Sequence, residues 1–301
     1  MASAYRKESA MTDLTRYISE TDLEFVNPQE QSWLTSIFQR FNGYPSLEQL
    51  WSVMDEPWRD LRCDPAVMDQ RISAYYAHPV WLLNGLFIEQ HAESLQHRRD
   101  FADWVAAQQP RRVADYGGGF GGLARMIGSA CPNAQVDVIE PHPHPLAIAR
   151  AAQTPNVRYR SDMEEGYDVL IATDVFEHVP DPLGLVSQTA AFLRPGGQYL
   201  IANCFYPVIL CHLPQTFHFL RSWDAALSAL GLKPGDSVCY GRVYRRSATM
   251  APAQGLRRAR SIERRSRLIY RWQHRIPGRL KPWVFRSLQT PVGRDVAGHR
   301  T

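Results

Sequence analysis

The feature that most restricts the fold is a change of rhythm at Pro110. Beyond it, short apolar runs alternate with helical stretches. "RRVADYG", "QVDVIEP", "YDVLIATD" and "GGQYLIANCF" read as buried strands, and "GGLARMIGSA", "HPLAIARAA" and "PLGLVSQTAAFL" as the helices between them. Such alternation predicts an α/β fold, a Rossmann-like doubly wound and mostly parallel sheet, with ligands bound beyond the carboxyl ends of its strands. "SWDAALSALGLKP" adds a helix ending at Gly231. Upstream of Pro110 the signals are helical. Ser46 with Gln49 has the spacing of a capping box, and Asp64 followed by Pro65 reads as an N-cap with proline in the first turn. "AESLQHRRDFADWVAAQQ" reads as a helix that ends before Pro110. The chain of 301 residues therefore divides into a helical cap or lid over 1–108, a sheet domain over 109–255 and a basic helical tail over 256–301.

Five glycines stand between the acid Asp115 and the first helix of the sheet domain, in "VADYGGGFGGLARMIG". Glycines at a strand-to-helix turn let the backbone bend sharply and approach a ligand where a Cβ would collide. Gly117, Gly119 and Gly122 also satisfy the G-x-G-x-x-G pattern of dinucleotide folds. A pyrophosphate site presents bare amides to an anion, however, and Asp115 beside it would repel that ligand. The acid favours a ligand with a cationic end. Glu140, closing "QVDVIE", has the place and chemistry to accept from ribose hydroxyls, which either ligand carries.

With these pieces in order, residues ~111–232 resemble the class I S-adenosyl-L-methionine (SAM) dependent methyltransferase domain. The resemblance runs through "VADYGGGFGG", "VIEP", "RSDMEE", "YDVLIATDVFEHVPDP" and "LRPGGQYLIAN". It implies that Asp115 and Gly117 hold the methionine portion of SAM, with Gly119 and Gly121 in the same loop. It also implies that Glu140 holds the ribose, Asp162 the adenine amino group and Met163 the ring face, while Asp174 and Val175 line the pocket wall. The run "NCFYPVILCHLPQTFHF" followed by a basic C-terminus is similar to methyltransferases of bacterial surface polysaccharide assembly.

The expected reaction is O-methylation of a small-molecule or glycan hydroxyl. Methyl transfer needs in-line placement of a nucleophile, and a hydroxyl acceptor benefits from a base with a pKa near working pH. His178, His212 and His218 are the candidates. "TDVFEH" lacks the Asn/Asp-Pro-Pro-aromatic motif of enzymes acting on DNA base amines. Asp174, Glu177, His178 and Asp181 match no metal-ligand spacing, so no metal is expected. The aromatics Tyr75, Tyr76, Trp81, Phe176, Phe205, Tyr206 and Phe217 read mainly as packing, with some placed to cage a sulfonium through cation–π contact. That cage leaves open a SAM-consuming cyclase or lyase that releases methylthioadenosine; a SAM-fold protein that only binds is a separate alternative.

The net charge of +4 conceals a tail of +11, from Leu256 to the C-terminus, on a body of −7. In "SIERRSRLIYRWQHRIPG", Ile262, Ile269, Trp272 and Ile276 share one helical face, arginines fill the other, and Pro277-Gly278 ends the helix. Residues 256–286 thus suit peripheral contact with an anionic membrane surface or lipid-linked substrate. A helix that packs its stripe on the domain is the competing reading, and nucleic acid a disfavoured third. The N-terminus has no apolar signal segment, and the five cysteines form no C-x-x-C pair, so the expectation is a cytoplasmic chain with free thiols, peripheral at the inner membrane face if the tail binds there.

Overall fold

The computed structural model describes residues 14–248 and 252–275. The N-terminal region holds α1 (Glu20–Leu23), α2 (Pro28–Phe41), α3 (Leu47–Asp60), α4 (Gln70–Tyr76), α5 (Val80–Ile88) and α6 (Ala92–Ala107). Ser46 and Gln49 form the expected capping box on α3, worth ~1 kcal/mol. Asn27 and Glu30 form a second on α2. The helix expected from Asp64 starts later, at Gln70, where Asp69 is the cap. Asp64 closes only a local turn onto Ala66. Val67 and Met68 in between are exposed, leaving a helical turn there with nothing to bury.

The sheet domain follows as β1 (Arg112–Tyr116), α7 (Gly122–Ala130), β2 (Gln135–Ile139), α8 (Pro145–Ala151), β3 (Val157–Arg160), β4 (Tyr167–Thr173), α9 (Pro182–Ala190), β5 (Leu193–Ala202), α10 (Trp223–Ala229), β6 (Leu232–Val238) and β7 (Gly241–Arg246). A 3₁₀ turn at Phe176–His178 and a 3₁₀ helix at Pro214–Arg221 follow β4 and β5, respectively. The seven strands lie in the order β3-β2-β1-β4-β5-β7-β6. Five are parallel, and β7 pairs antiparallel to both β5 and β6. The order reverses between β1 and β4, the crevice where doubly wound sheets bind ligands. Alternate residues feed opposite faces: Ala114, Leu170, Tyr199 and Tyr244 pack on one core, and Val113, Val169, Leu200 and Val243 on the other.

The helical cap has a core of its own, and the sheet domain contributes to it. Phe120 from the glycine turn, with Leu146 and Ala147 from α8, packs among Leu82, Leu83 and Leu86 of α5. Half-buried charges join the same elements. Arg150 of α8 pairs with Asp22 at 2.7 Å and with Glu89, and Glu89 also meets Arg125 of α7.

The last described element, α11 (Pro252–Arg275), divides along its length. Its first half is part of the domain. Ala259 is fully buried, Leu256 and Ile262 pack on the sheet core, and a Cβ on Gly255 would lie 2.9 Å from the Ala229 carbonyl of α10. Ile262 lies on the same side of the helix as Ile269, seven residues on, but it covers the core whereas Ile269 and Trp272 lie exposed farther along. Leu268, Ile269 and Trp272 are 66%, 52% and 54% exposed. Ile276, Pro277 and Gly278 lie outside the described residues.

Candidate SAM and acceptor site

The glycine turn lies at the end of β1, and each glycine has its own environment. Gly117, Gly119 and Gly121 take left-handed φ values of 68°, 52° and 72°. A Cβ on Gly117 would come within 2.6 Å of Val175, on Gly118 within 2.7 Å of the Asp115 carboxylate, and on Gly121 within 2.7 Å of the Tyr159 hydroxyl. At Gly119 nothing lies within 4 Å, so open space begins there. Glu140 fastens the turn to the end of β2, accepting from the Gly119 amide through Oε2 and from the His142 amide through Oε1, both at 3.0 Å. Tyr159 of β3 donates to the Gly119 carbonyl at 2.9 Å.

Asp115 is 1% exposed, and neither carboxylate oxygen has a hydrogen-bond partner. Burial, reinforced by the charge of Glu140 and only partly offset by Arg98, pushes its pKa up to about 7. A buried carboxyl left so needs either a proton or a cation. The ammonium of SAM fits that requirement, and the open face at Gly119 fits a ligand lying against bare backbone.

The other expected pocket residues are spread along the strand ends. Val175 packs against Gly117. Asp174 stands in the left-handed region at φ 53° and accepts from the Tyr240 hydroxyl at 2.9 Å. A non-glycine residue held there after a strand end is strained in a way common at functional sites. Met163 is half-buried against the sheet core. Asp162 is exposed, and the Ser161 hydroxyl donates to its carboxylate.

Two of the three histidines come together. The His178 and His212 rings stand 4.8 Å apart at 83°, nearly edge to face. His178 Nδ1 lies 3.1 Å from the Cys211 carbonyl, and His212 Nδ1 lies 2.8 Å from the Tyr206 carbonyl. A carbonyl accepts only, so both Nδ1 atoms carry the hydrogen and both Nε2 atoms keep a lone pair. Enclosure pushes the His178 pKa down to about 3, with the neighbouring His212 adding to the effect, and burial lowers His212 as well. Glu177 joins them. One donor atom from each of Glu177, His178 and His212 lies within 4.8 Å of the others. Glu177 is fully buried; Oε1 accepts from the Cys204 amide at 2.7 Å, and Oε2 has no partner. Burial and the charge of Asp174 raise its pKa to about 8.

The cap closes over this trio. Tyr76 and Trp81, stacked at 5.1 Å, each present an edge-on ring 6.3 Å from His178. Burial drives the Tyr76 phenol well above its usual pKa, and Cys211, Glu177 and Glu140 add to the rise, so the phenol feels acids at the ends of both β2 and β4. Asp55 of α3 accepts from the Leu210 amide at 2.7 Å, and Gln215 donates to the Pro65 carbonyl at 2.8 Å. Of the remaining aromatics, Tyr75, Phe176, Phe205 and Phe217 are buried packing and Tyr206 is exposed.

His218 stands apart, against α11. Its Nδ1 lies 3.2 Å from Ser266 Oγ, and its Nε2 accepts from Arg267 at 3.2 Å. Both ring nitrogens are occupied. Burial, with Arg267 adding, lowers its pKa to about 4. Asp181 is also elsewhere, capping α9 through Gly184 and pairing with Arg260 of α11.

Three supports escaped the sequence reading. Tyr159 stands on β3, which carries too few apolar residues to stand out, and Tyr240 precedes a strand that was not expected. The convergence of His212 on Glu177 and His178 has no sequence signal, since 33 residues separate His178 from the Cys211 carbonyl that anchors it.

The sheet domain is similar to known methyltransferases. A family model described as a methyltransferase domain matches residues 86–231. A ubiquinone biosynthesis O-methyltransferase of Aromatoleum aromaticum is 31% identical over 194 residues, covering 56% of this chain and 81% of that one. A malonyl-[acyl-carrier protein] O-methyltransferase of Halalkalibacterium halodurans is 29% identical over 150 residues, covering 46% of this chain and 51% of the relative. The chain spans roughly half the length of several such relatives, 51% and 55% in two cases. Among solved structures, a Burkholderia thailandensis 1,6-didemethyltoxoflavin-N1-methyltransferase with S-adenosylhomocysteine bound aligns with a TM-score of 0.45 and 16% identity, over 62% of this chain and 93% of that one. The fold and the glycine-turn site define a class I nucleoside-binding α/β protein. The chain belongs to the SAM-dependent methyltransferase family.

Proposed function

We propose that the protein methylates a hydroxyl of a small-molecule or glycan acceptor, with SAM as donor. The observation that carries this reading is the pairing of two half-sites under one cap: an unpartnered Asp115 beneath the glycine turn, and neutral imidazoles with free Nε2 lone pairs at His178 and His212. When bound, SAM supplies an electrophilic methyl group on a sulfonium. Asp115 receives the ammonium, Glu140 the ribose hydroxyls, Asp162 and Met163 the adenine, and the bare backbone at Gly119 gives the ligand room. His178 or His212 accepts the proton of the acceptor hydroxyl, and Tyr76 and Trp81 exclude water above them. The O-methyltransferase names of the relatives support the hydroxyl class.

The exposed half of α11 is, in this reading, a peripheral contact for an anionic membrane or lipid-linked acceptor. Among the described residues no helix is long and apolar enough to cross a membrane. Incubating the protein and a cell extract with methyl-labelled SAM tests the reaction. Label in a new product supports it; label appearing only in methylthioadenosine points to SAM cleavage, and no turnover with intact SAM binding leaves a binding protein.

A further inference from the structure

We propose that Tyr240 is a positioning residue for the methyl donor: its phenol holds the Asp174 carboxylate facing the sulfonium of SAM, so that the crevice favours the charged donor over the neutral-sulfur product. The proposal rests on SAM lying at the glycine turn and goes beyond it to a residue outside the matched domain, which ends at residue 231. Strand pairing brings Tyr240 to the crevice. β7 begins at Gly241, which lies opposite Ala202 at the end of β5, and the Ala202 carbonyl accepts from the Asp174 amide at 2.8 Å. Tyr240, one residue before β7, therefore stands beside the strand ends that carry the site. A Cβ on Gly241 would lie 3.2 Å from both Ala202 and Phe101, so the hairpin sits closely on β5 and α6. The Tyr240 ring is braced by His97 at 5.2 Å and Phe101 at 5.6 Å, both of α6, and its hydroxyl donates to Asp174 Oδ2 at 2.9 Å.

The pair is built to hold an anion in place. Water reaches both residues, yet the surrounding protein raises the pKa of each, so they line an open crevice and not the outer surface. Burial raises the Asp174 pKa, and the phenol is the foremost of the groups that lower it, ahead of Arg98 and His97. Burial and the charge of Asp174 drive the phenol's own pKa well above its usual value, so it stays a donor. Two acids then match two cations. β1 and β4 are adjacent parallel strands with Asp115 opposite Ile171, so Asp115 and Asp174 stand on neighbouring strand ends, ~4.8 Å apart across a sheet. SAM carries an ammonium and a sulfonium on one short chain. With Asp115 at the ammonium, Asp174 meets the sulfonium. Methyl transfer leaves the C–S bonding pair on sulfur, which becomes a neutral thioether, while the ammonium is unchanged. The product thus keeps its contact with Asp115 and loses its attraction to Asp174.

The test is calorimetry on the full chain at pH 8, with SAM and separately with S-adenosylhomocysteine, while thermal unfolding follows the fold. Tyr240→Phe keeps the ring against His97 and Phe101 and removes only the hydroxyl. It should weaken SAM ~3- to 10-fold and leave S-adenosylhomocysteine within about twofold, narrowing the preference for the charged ligand. Asp174→Asn, which places a residue tolerant of left-handed backbone at that position, should narrow it further by weakening SAM ~10- to 100-fold. Adding Tyr240→Phe to Asp174→Asn should cost nothing more, because the phenol acts through the carboxylate. Equal weakening of both ligands in Tyr240→Phe would make the tyrosine merely structural and overturn the proposal, as would an unchanged SAM affinity or unfolding of that variant. If Asp174→Asn fails to fold, the two affinities of Tyr240→Phe still decide. A wild-type chain that binds neither ligand would overturn the donor site and this proposal with it, whereas equal weakening in the variant leaves the donor site standing.

Discussion

Gly85 of α5 lies under the ring of Phe120, so close that a Cβ would sit 2.5 Å from Phe120 Cγ. Phe120 belongs to the glycine turn and Gly85 to the cap, so this contact joins the turn proposed to hold SAM to the element that covers His178. Glycine inside a helix is otherwise unfavourable, by ~1 kcal/mol relative to alanine. Its presence here is explained by the ring.

Gly85→Ala should therefore destabilise the protein despite its better helix propensity. Overpacking costs ~1–3 kcal/mol, and displacement of Phe120 should move Gly119 and weaken SAM binding several-fold. Phe120→Leu in the same chain should recover part of both losses, as expected for residues in direct contact. Thermal unfolding and calorimetry check this; a raised melting temperature in Gly85→Ala would show that the turn yields without cost.

Asp115 gives the pH dependence. Its folded pKa, about 7, lies above that of an unfolded aspartate, so the folded state favours the protonated form. The stability it contributes is fully present below about pH 4 and is lost as pH rises toward 7. An ammonium beside it reverses the preference. SAM binding below pH 7 should thus release a proton, and affinity should rise with pH before levelling near 7. Calorimetry in buffers of different ionisation enthalpy reads the proton directly. Asp115→Asn should raise the unliganded melting temperature at pH 8, flatten the pH profile and weaken SAM ~10- to 100-fold, the loss expected for a charge-assisted contact.

The histidines separate by location. His178→Gln and His212→Gln should lower turnover ~10²- to 10⁴-fold with SAM affinity nearly unchanged. His218→Gln should leave turnover within a few-fold and instead lower the melting temperature, because it removes the partner of Ser266 and Arg267 that seats α11. Rate and melting curves for the three variants decide between these roles; a large turnover loss in His218→Gln would place the acceptor at α11.

Legibility in the sequence followed the strength of local pattern. β1, β2, β4 and the second half of β5 are buried on both faces and read as short apolar runs, interrupted by Asp115, Asp137 and Asp168. β6 is an edge strand whose interior residues are exposed and include Pro234 and Gly235, so it has no alternation to find. The missed β7 pairs with it and reverses the direction of the sheet at that edge. The glycine turn and its acid were legible because nucleotide binding needs residue types at fixed spacing. The acceptor side was not: Glu177, His178 and His212 meet only because β4 and β5 are neighbours and the cap holds the loop after β5 through Asp55.

The division of α11 changes how its membrane contact must be tested. Removing everything from Leu256 would strip Ala259 and Ile262 from the core and break the Arg260 to Asp181 pair, so loss of binding would report unfolding. Leu268, Ile269 and Trp272 are exposed beside the exposed Arg264, Arg265 and Arg271, and polar replacement there leaves the packed half untouched. Each basic residue near an anionic surface contributes ~1 kcal/mol that salt screens. The three apolar side chains add burial that salt does not screen, ~1.5–3 kcal/mol for each one fully inserted. The wild-type chain should sediment with vesicles containing anionic lipid, not with neutral ones, and moderate salt should release only part of it. Leu268→Ser, Ile269→Ser and Trp272→Ser combined should keep the melting temperature and SAM affinity while making the remaining sedimentation fully salt-sensitive. Unchanged sedimentation in the triple variant would remove this face from the contact, and binding to RNA instead of vesicles, with a steep salt dependence, would assign the basic residues to nucleic acid.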